Sequence, residues 1–78
     1  MRNIFIRETE NFIYNIIWLR KKHNLSKSKM AKLLGISVSS LNKLENGILP
    51  PRLGTEVIFL IQEQFHIHPK DLFADKLN

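Results

Sequence analysis

The sequence predicts an all-α fold of five short helices, and three observations support this prediction. The chain has 78 residues, a length typical of one domain with a thin core. Apolar residues recur along it at helical spacing. The few glycines and prolines fall between these periodic segments, so we expect an extended or loose leader at residues 1–7 and one folded domain at residues 8–78.

The first helix is expected from about Glu8 to Lys22. Its first turn is acidic and its last turn, residues 20–22, is basic, which is the order of charge that the helix macrodipole favours. One face carries a core stripe made of Phe12, Ile16 and Leu19. Further apolar residues exceed what one face needs, and they are Ile13, Tyr14, Ile17 and Trp18.

The second and third helices are marked by their caps. Ser26 is a favourable N-cap for a helix at about 27–34. Gly35 follows this helix, at the position where the left-handed backbone conformation is common. Ser37 is a favourable N-cap for a third helix at about 38–45, which ends at an Asn-Gly dipeptide. Two short helices joined by such a tight turn have the geometry of a helix-turn-helix.

The last two helices follow a loop. The paired prolines Pro50 and Pro51 exclude a helix interior directly after the third helix. A fourth helix is expected at about 55–65, and its apolar run again exceeds one face. Pro69 stands at the first position of a short fifth helix, with His68 as the residue that starts it.

Positive charge is concentrated in one part of the chain. Twelve Lys and Arg residues against seven Asp and Glu residues give a net charge of +5. Between Arg20 and Lys43 no acidic residue occurs, and the basic residues there are Arg20, Lys21, Lys22, Lys27, Lys29, Lys32 and Lys43. This distribution favours a polyanionic partner, either nucleic acid or an anionic membrane surface.

The composition argues against several kinds of site. The chain contains no cysteine, so it forms neither disulfides nor thiolate metal sites. His66 and His68 lie on opposite sides of Ile67 with no third ligand nearby, which does not predict a metal site. No set of nucleophile, histidine and acid is visible, nor is a glycine-rich phosphate loop. We therefore expect no enzyme activity, no metal and no cofactor.

Signals for export and membrane insertion are also missing from the sequence. Residues 1–7 are too few and too charged for a secretory signal. The longest unbroken apolar run, Val57 to Ile61, is far too short to span a bilayer. Together with the lack of cysteine, these features predict a soluble cytoplasmic protein.

Residues 25–47 carry a specific motif. The residues that define the motif are Leu25, Ser26, Ala31, Gly35, Ile36, Leu41 and the terminal Leu44-Glu45-Asn46-Gly47. With these residues at this spacing, the sequence strongly resembles the Xre/Cro-like helix-turn-helix family of phage and bacterial repressors. The resemblance continues at residues 19–20 and 67–73. It implies a five-helix, repressor-like DNA-binding domain, usually dimeric on a palindromic operator.

The resemblance also implies which residues meet DNA. The third helix is the recognition helix, and its outward residues, which face base edges or nearby phosphates, are Ser37, Val38, Ser39, Asn42 and Lys43. Backbone contacts come from the two ends of the motif, namely Ser26, Lys27, Asn46 and Arg52. Arg20 and Glu45 form a partly buried ion pair in this interpretation, and the alternative is that both are solvated charges.

Two lysines depart from the family pattern. Lys27 stands where Gln is frequent, and Lys29 stands where Glu is frequent. A Glu at the latter position completes a capping box with Ser26, whereas Lys29 does not. Both lysines oppose the dipole at the start of the second helix, which a polyanionic partner explains.

The sequence leaves three functions open. The leading hypothesis is a sequence-specific regulator that binds double-stranded DNA as a homodimer and represses by occupying its operator. The main alternative is an antitoxin-like or adaptor module whose basic face binds an acidic protein. A membrane-surface binder is disfavoured because the lysines lie among core positions rather than along one amphipathic helix.

Overall fold

The computed structural model describes residues 6–49 and 55–77. Within these ranges the chain forms five helices and no strand, which confirms the predicted all-α, five-helix class. The helices are α1 (Ile6–Lys22), α2 (Lys27–Leu34), α3 (Val38–Glu45), α4 (Thr55–Phe65) and α5 (Pro69–Ala74).

α1 starts slightly before the position expected from the sequence. The helix begins at Ile6, two residues before the expected Glu8, so the last two residues of the expected leader are helical. Residues 1–5 of that leader lie outside the described residues. An acidic side chain is favourable anywhere in the first turn, so it indicates the first turn and does not fix the first helical residue.

Side-chain caps set the starts of α2 and α3 as predicted. Ser26 Oγ accepts a hydrogen bond from the backbone N–H of Lys29 at 3.1 Å. Ser37 Oγ accepts one from the backbone N–H of Ser40 at 3.0 Å. Both cap residues have extended backbone angles, so each chain segment turns sharply into its helix.

Gly35 ends α2 in the left-handed conformation, with φ at 71°. Its N–H donates to the carbonyl of Lys32 at 3.2 Å, and the N–H of Ile36 donates to the carbonyl of Ala31 at 3.0 Å. This pair of hydrogen bonds is a Schellman motif, which satisfies carbonyls at the helix end and reverses the chain toward α3. Glycine is the residue that adopts this φ at the lowest cost.

The short α5 forms in the expected place. Pro69 is its first residue, and His68 Nδ1 accepts a hydrogen bond from the backbone N–H of Lys70 at 3.1 Å. This imidazole therefore serves as the N-cap, as the sequence predicted.

One apolar core joins the five helices. α1 packs against α3 and α5, while α2 packs against α3 and α4. The buried apolar side chains are Phe12, Ile16, Leu19, Met30, Ala31, Leu34, Leu41, Leu44, Val57, Ile61 and Leu72. The predicted α1 stripe thus lies in the core, and no helix of the described residues is long and apolar enough to cross a membrane.

A buried asparagine that the sequence did not reveal fastens the C-terminal segment to α1. Asn15 is fully buried, and its Nδ2 donates to the carbonyls of Leu72 and Asp75, each at 2.9 Å. Its Oδ1 accepts from the backbone N–H of Leu77 at 2.9 Å. One amide side chain therefore satisfies three backbone groups where α5 ends, which compensates its removal from water.

Candidate nucleic-acid interface

The helix-turn-helix is built by α2 and α3, whose close crossing depends on small and apolar side chains. Ala31 on α2 is 2% exposed, and Leu41 and Leu44 on α3 are fully buried. These contacts direct one side of α3 into the core and leave its other side free. The start of α2 lies beside that free side, because Lys27 on α2 contacts Asn42 on α3.

Lys27 and Asn42 join the two helices at the surface. Lys27 is the first residue of α2, and its Nζ donates to Oδ1 of Asn42 at 2.8 Å. Asn42 is half-buried and lies in the second turn of α3. The sequence placed each residue in the interface separately but did not predict that their side chains meet.

The other residues predicted to meet DNA differ in exposure and in their partners. Solvent-exposed members are Ser26, Lys27, Ser37, Val38, Ser39, Lys43 and Asn46. Val38 is 42% exposed, which leaves its methyl groups available for a contact. Arg52 lies outside the described residues.

Three of these polar side chains also form hydrogen bonds at the ends of α2 and α3. Ser26 Oγ acts as an acceptor in the α2 cap, so its O–H remains available as a donor. Ser37 Oγ contacts Ser40 Oγ at 3.0 Å in addition to its capping bond. Asn46 Nδ2 donates to the carbonyl of Asn42 at 2.9 Å and thereby helps to end α3. The two cap residues at the end and start of α3 are therefore partly committed to the helix itself.

The start of α2 is strongly positive. Neither α2 nor α3 carries an acidic residue in its first turn, while Lys27 and Lys29 lie in the first turn of α2. Unpaired backbone N–H groups at a helix N-terminus add partial positive charge. This combination suits phosphate oxygens and leaves the lysines without acidic neighbours in their own turn.

Arg20 and Glu45 are brought together by the structure. Arg20 Nε lies 2.7 Å from Glu45 Oε2, and a terminal guanidinium nitrogen lies 3.1 Å from Oε1. Another terminal nitrogen donates to the carbonyl of Leu25 at 3.4 Å. The guanidinium of α1 therefore holds the end of α3 and the segment before α2, and in this way it orients the two helices relative to α1.

Three further lysines have the exposure expected of ordinary solvated side chains. Lys21, Lys22 and Lys32 are exposed, and Lys22 Nζ lies 4.8 Å from the centre of the Trp18 ring. That cation–π contact accounts for the position of Lys22 without a nucleic acid. Among residues 6–49 and 55–77, no three His, Cys, Asp or Glu side chains are grouped as metal ligands.

Comparison with known proteins agrees with this geometry. A family model described as helix-turn-helix matches residues 16–72. The antitoxin PezA of Streptococcus pneumoniae serotype 4 (strain ATCC BAA-334 / TIGR4) is 36% identical over 61 residues, which are 78% of this chain and 37% of that protein. No solved structure matches the chain. Because the family match covers most of the chain, including α2, the turn and α3, the chain belongs to the Xre-like helix-turn-helix family.

Proposed function

We propose that this protein is a sequence-specific, double-stranded DNA-binding transcriptional regulator that acts as a repressor by occupying its operator. The observation that carries the proposal is the exposed surface formed by the start of α2 and the free side of α3. There a positive helix start lies next to exposed recognition-helix side chains, linked by the contact between Lys27 and Asn42. Membership of a helix-turn-helix family supports a DNA-binding regulator.

The proposed surface divides into a part that binds phosphates and a part that reads bases. Ser26 and Lys27 meet the DNA backbone, because a helix N-terminus with a free hydroxyl donor and an ammonium group suits phosphate oxygens. Val38, Ser39 and Lys43 face base edges, since they are exposed on the free side of α3. A valine contacts a thymine methyl group, and a lysine donates to guanine acceptors.

The proposed regulator acts as a homodimer on a palindromic operator. A single module of this size buries roughly 600–1,000 Å² on DNA, which seldom gives tight binding. Two recognition helices spaced by about 34 Å occupy successive major grooves on one side of the duplex. Phe59 on α4 is 57% exposed and supplies an apolar contact that leaves α3 free.

The experiment that tests the proposal is selection of bound sequences from a random duplex library, followed by affinity measurements. The selected duplex is compared with a shuffled duplex, transfer RNA and anionic vesicles. We expect a reproducible consensus and binding to it at least about a thousandfold tighter than to shuffled DNA. Equal affinity for all of these polyanions contradicts the proposal.

Exchanging one lysine tests the phosphate contact within that experiment. Lys27→Ala should weaken binding to all duplexes and lower the slope of log affinity against log salt by about one unit. Lys70→Ala removes the same charge from α5 and is the matched control, because Lys70 is exposed and lies outside the proposed surface. An equal loss in both variants assigns the effect to net charge alone and contradicts the contact.

A second candidate function is favoured by the relative found among curated proteins. That relative is named as an antitoxin, and the matched segment is 37% of its length. An antitoxin function of this chain is tested by co-expression with a candidate toxin and measurement of growth. Rescue that survives Lys43→Ala, while the preferred DNA sequence changes, assigns toxin binding to another surface. Absence of rescue leaves the DNA-binding proposal as the account of this domain.

A further inference from the structure

We propose that Lys27 and Asn42 act as one recognition unit, in which the lysine fixes the asparagine amide so that the pair reads guanine and rejects adenine. This inference rests on the proposed function, because it names the base preference of that same surface. Lys27 is the positioning residue in the unit, and Asn42 is the residue that distinguishes the two purines.

The geometry of the free protein already holds the amide in one orientation. Lys27 Nζ lies 2.8 Å from Oδ1 of Asn42, which directs the amide oxygen toward α2. The backbone around Asn42 is held as well, since its carbonyl accepts from Nδ2 of Asn46 at 2.9 Å. Asn42 is half-buried, so its side chain has less rotational freedom than a fully exposed one. The Nδ2 group is the part of the amide that Lys27 leaves free.

An asparagine in this state is poorly suited to adenine. Reading adenine through two hydrogen bonds requires Oδ1 to accept from the N6 amino group while Nδ2 donates to N7. In this protein an ammonium group occupies the neighbourhood of Oδ1. The adenine amino hydrogens then approach a positive charge that carries only donors, which is electrostatically unfavourable.

Guanine offers the complementary pattern. Its O6 and N7 are both acceptors in the major groove. The Lys27 ammonium has three N–H donors, of which one bonds Asn42, and the amide contributes Nδ2 beside it. Nδ2 thus donates to O6 of guanine, at the place where adenine presents only its amino donor, while the two remaining N–H groups of Lys27 are left for the phosphate contact. The positive charge is not neutralised locally, because the first turns of α2 and α3 contain no acidic residue.

The test is selection from a random duplex library with the full chain and three variants. Lys27→Met keeps most of the stem and removes the ammonium, which frees Oδ1. Asn42→Asp keeps the shape and replaces the donor by an acceptor. Lys32→Met is the matched control, because Lys32 is an exposed lysine in the last turn of the same helix.

The expected results concern a single base position. The unaltered chain selects guanine there, and Lys27→Met shifts the preference toward adenine by about tenfold. Asn42→Asp loses the guanine preference at that same position, while Lys32→Met leaves the whole consensus unchanged. The melting temperature of each variant is measured alongside, so that a folding defect is recognised. If Lys27→Met does not fold, the result with Asn42→Asp decides whether the pair reads guanine.

Two outcomes overturn the inference without touching the proposed function. One is a consensus that stays the same in Lys27→Met and Asn42→Asp, which leaves Lys27 with its phosphate contact alone whatever happens to the affinity for all duplexes. The other is adenine at the affected position with the unaltered chain. A library from which the unaltered chain selects no sequence at all contradicts the proposed function itself.

Discussion

Arg20 donates two hydrogen bonds to the carboxylate of Glu45, with Nε 2.7 Å from Oε2 and a terminal nitrogen 3.1 Å from Oε1. The two side chains are 15% and 8% exposed, so the pair is largely removed from water. Removing one partner of such a pair leaves an uncompensated charge in a place of low polarity. The pair connects α1 to the end of α3, so its loss affects both stability and the orientation of α3.

We expect Arg20→Met and Glu45→Met each to lower the free energy of unfolding by about 3 kcal/mol. The double variant should lose less than the sum of the two, because it leaves no unpaired charge. Denaturant unfolding of the four proteins in a double-mutant cycle measures this coupling. Strictly additive losses indicate that both groups are solvated, contrary to the geometry.

Asn15 provides a second test of a buried polar contact. Asn15→Asp retains the acceptor for Leu77 N–H but turns a carboxylate toward the carbonyls of Leu72 and Asp75. We expect a loss of about 2–3 kcal/mol near neutral pH, because a buried charge faces two acceptors. A protonated carboxyl group donates to one carbonyl, so the deficit relative to the unaltered chain should shrink as pH falls.

Thermal unfolding of both proteins across a range of acidic to neutral pH checks this prediction. Asn15→Leu is the control, since it removes the three hydrogen bonds without adding a titratable group. Its deficit should stay constant with pH. A deficit of Asn15→Asp that is equally independent of pH contradicts the assigned contacts.

Local sequence signals made much of this fold predictable. The features that the sequence did not predict are contacts between segments far apart in the chain. Ser26, Ser37 and Gly35 act on their own turns, so the bounds of α2 and α3 follow directly from the sequence. The burial of Asn15 depends on a segment 57 to 62 residues away. Its only signal was its position four residues before the core residue Leu19, on the buried side of α1.

The contact between Lys27 and Asn42 was hidden for the same reason. Both residues lie on predicted helices, but the distance between their side chains depends on how α2 and α3 cross. A cap fixes where a helix starts and says nothing about which side chains of two helices touch. The sequence thus indicated the separate residues of the candidate surface and the pair of Arg20 and Glu45, but not the contact between Lys27 and Asn42.

Lys29 departs from a favourable cap, and its exchange should raise stability. Lys29 is the third residue of α2, and its N–H already bonds Ser26 Oγ. Lys29→Glu adds a carboxylate that reaches back to the N–H of Ser26 and complements the helix dipole. We expect a gain of about 0.5–1 kcal/mol in the free energy of unfolding, with weaker DNA binding.

The control exchanges the same charge at the other end of the helix. Lys32 lies in the last turn of α2, where a Glu opposes the dipole. Lys32→Glu should therefore lower stability while changing the net charge by the same amount. Thermal unfolding at low salt compares the two variants, and a shift of the same sign in both would disprove the capping argument.

Val38 and Lys43 should set the preferred sequence at different base pairs. Val38 is exposed at the start of α3, and Lys43 is exposed in its last turn. Each should contribute about 1–3 kcal/mol of discrimination at its own base pair. Selection with Val38→Ala and Lys43→Ala should relax two separate positions, and an unchanged consensus in both variants refutes their role in reading bases.

Phe59 is the apolar side chain that we expect at the centre of a dimer interface. Phe59 is 57% exposed, whereas the apolar residues of α1 that exceed one face are half-buried, namely Ile13, Tyr14, Ile17 and Trp18. Aromatic side chains are enriched at the centres of interfaces, and water contact of a whole ring is unfavourable. Its helix packs on α2 and α5, so a contact through Phe59 does not need α3.

Phe59→Asp should therefore shift the protein from dimer to monomer at micromolar concentration and weaken binding to a palindromic site more than to a single half-site. Ile48→Asp is the control, since Ile48 has the same 57% exposure but follows the recognition helix. Sedimentation of both variants measures the association. If Ile48→Asp dissociates the dimer and Phe59→Asp does not, the two-fold axis lies beside α3. A monomer that binds a half-site as tightly as the palindrome removes the need for a dimer, because the second recognition helix then adds nothing.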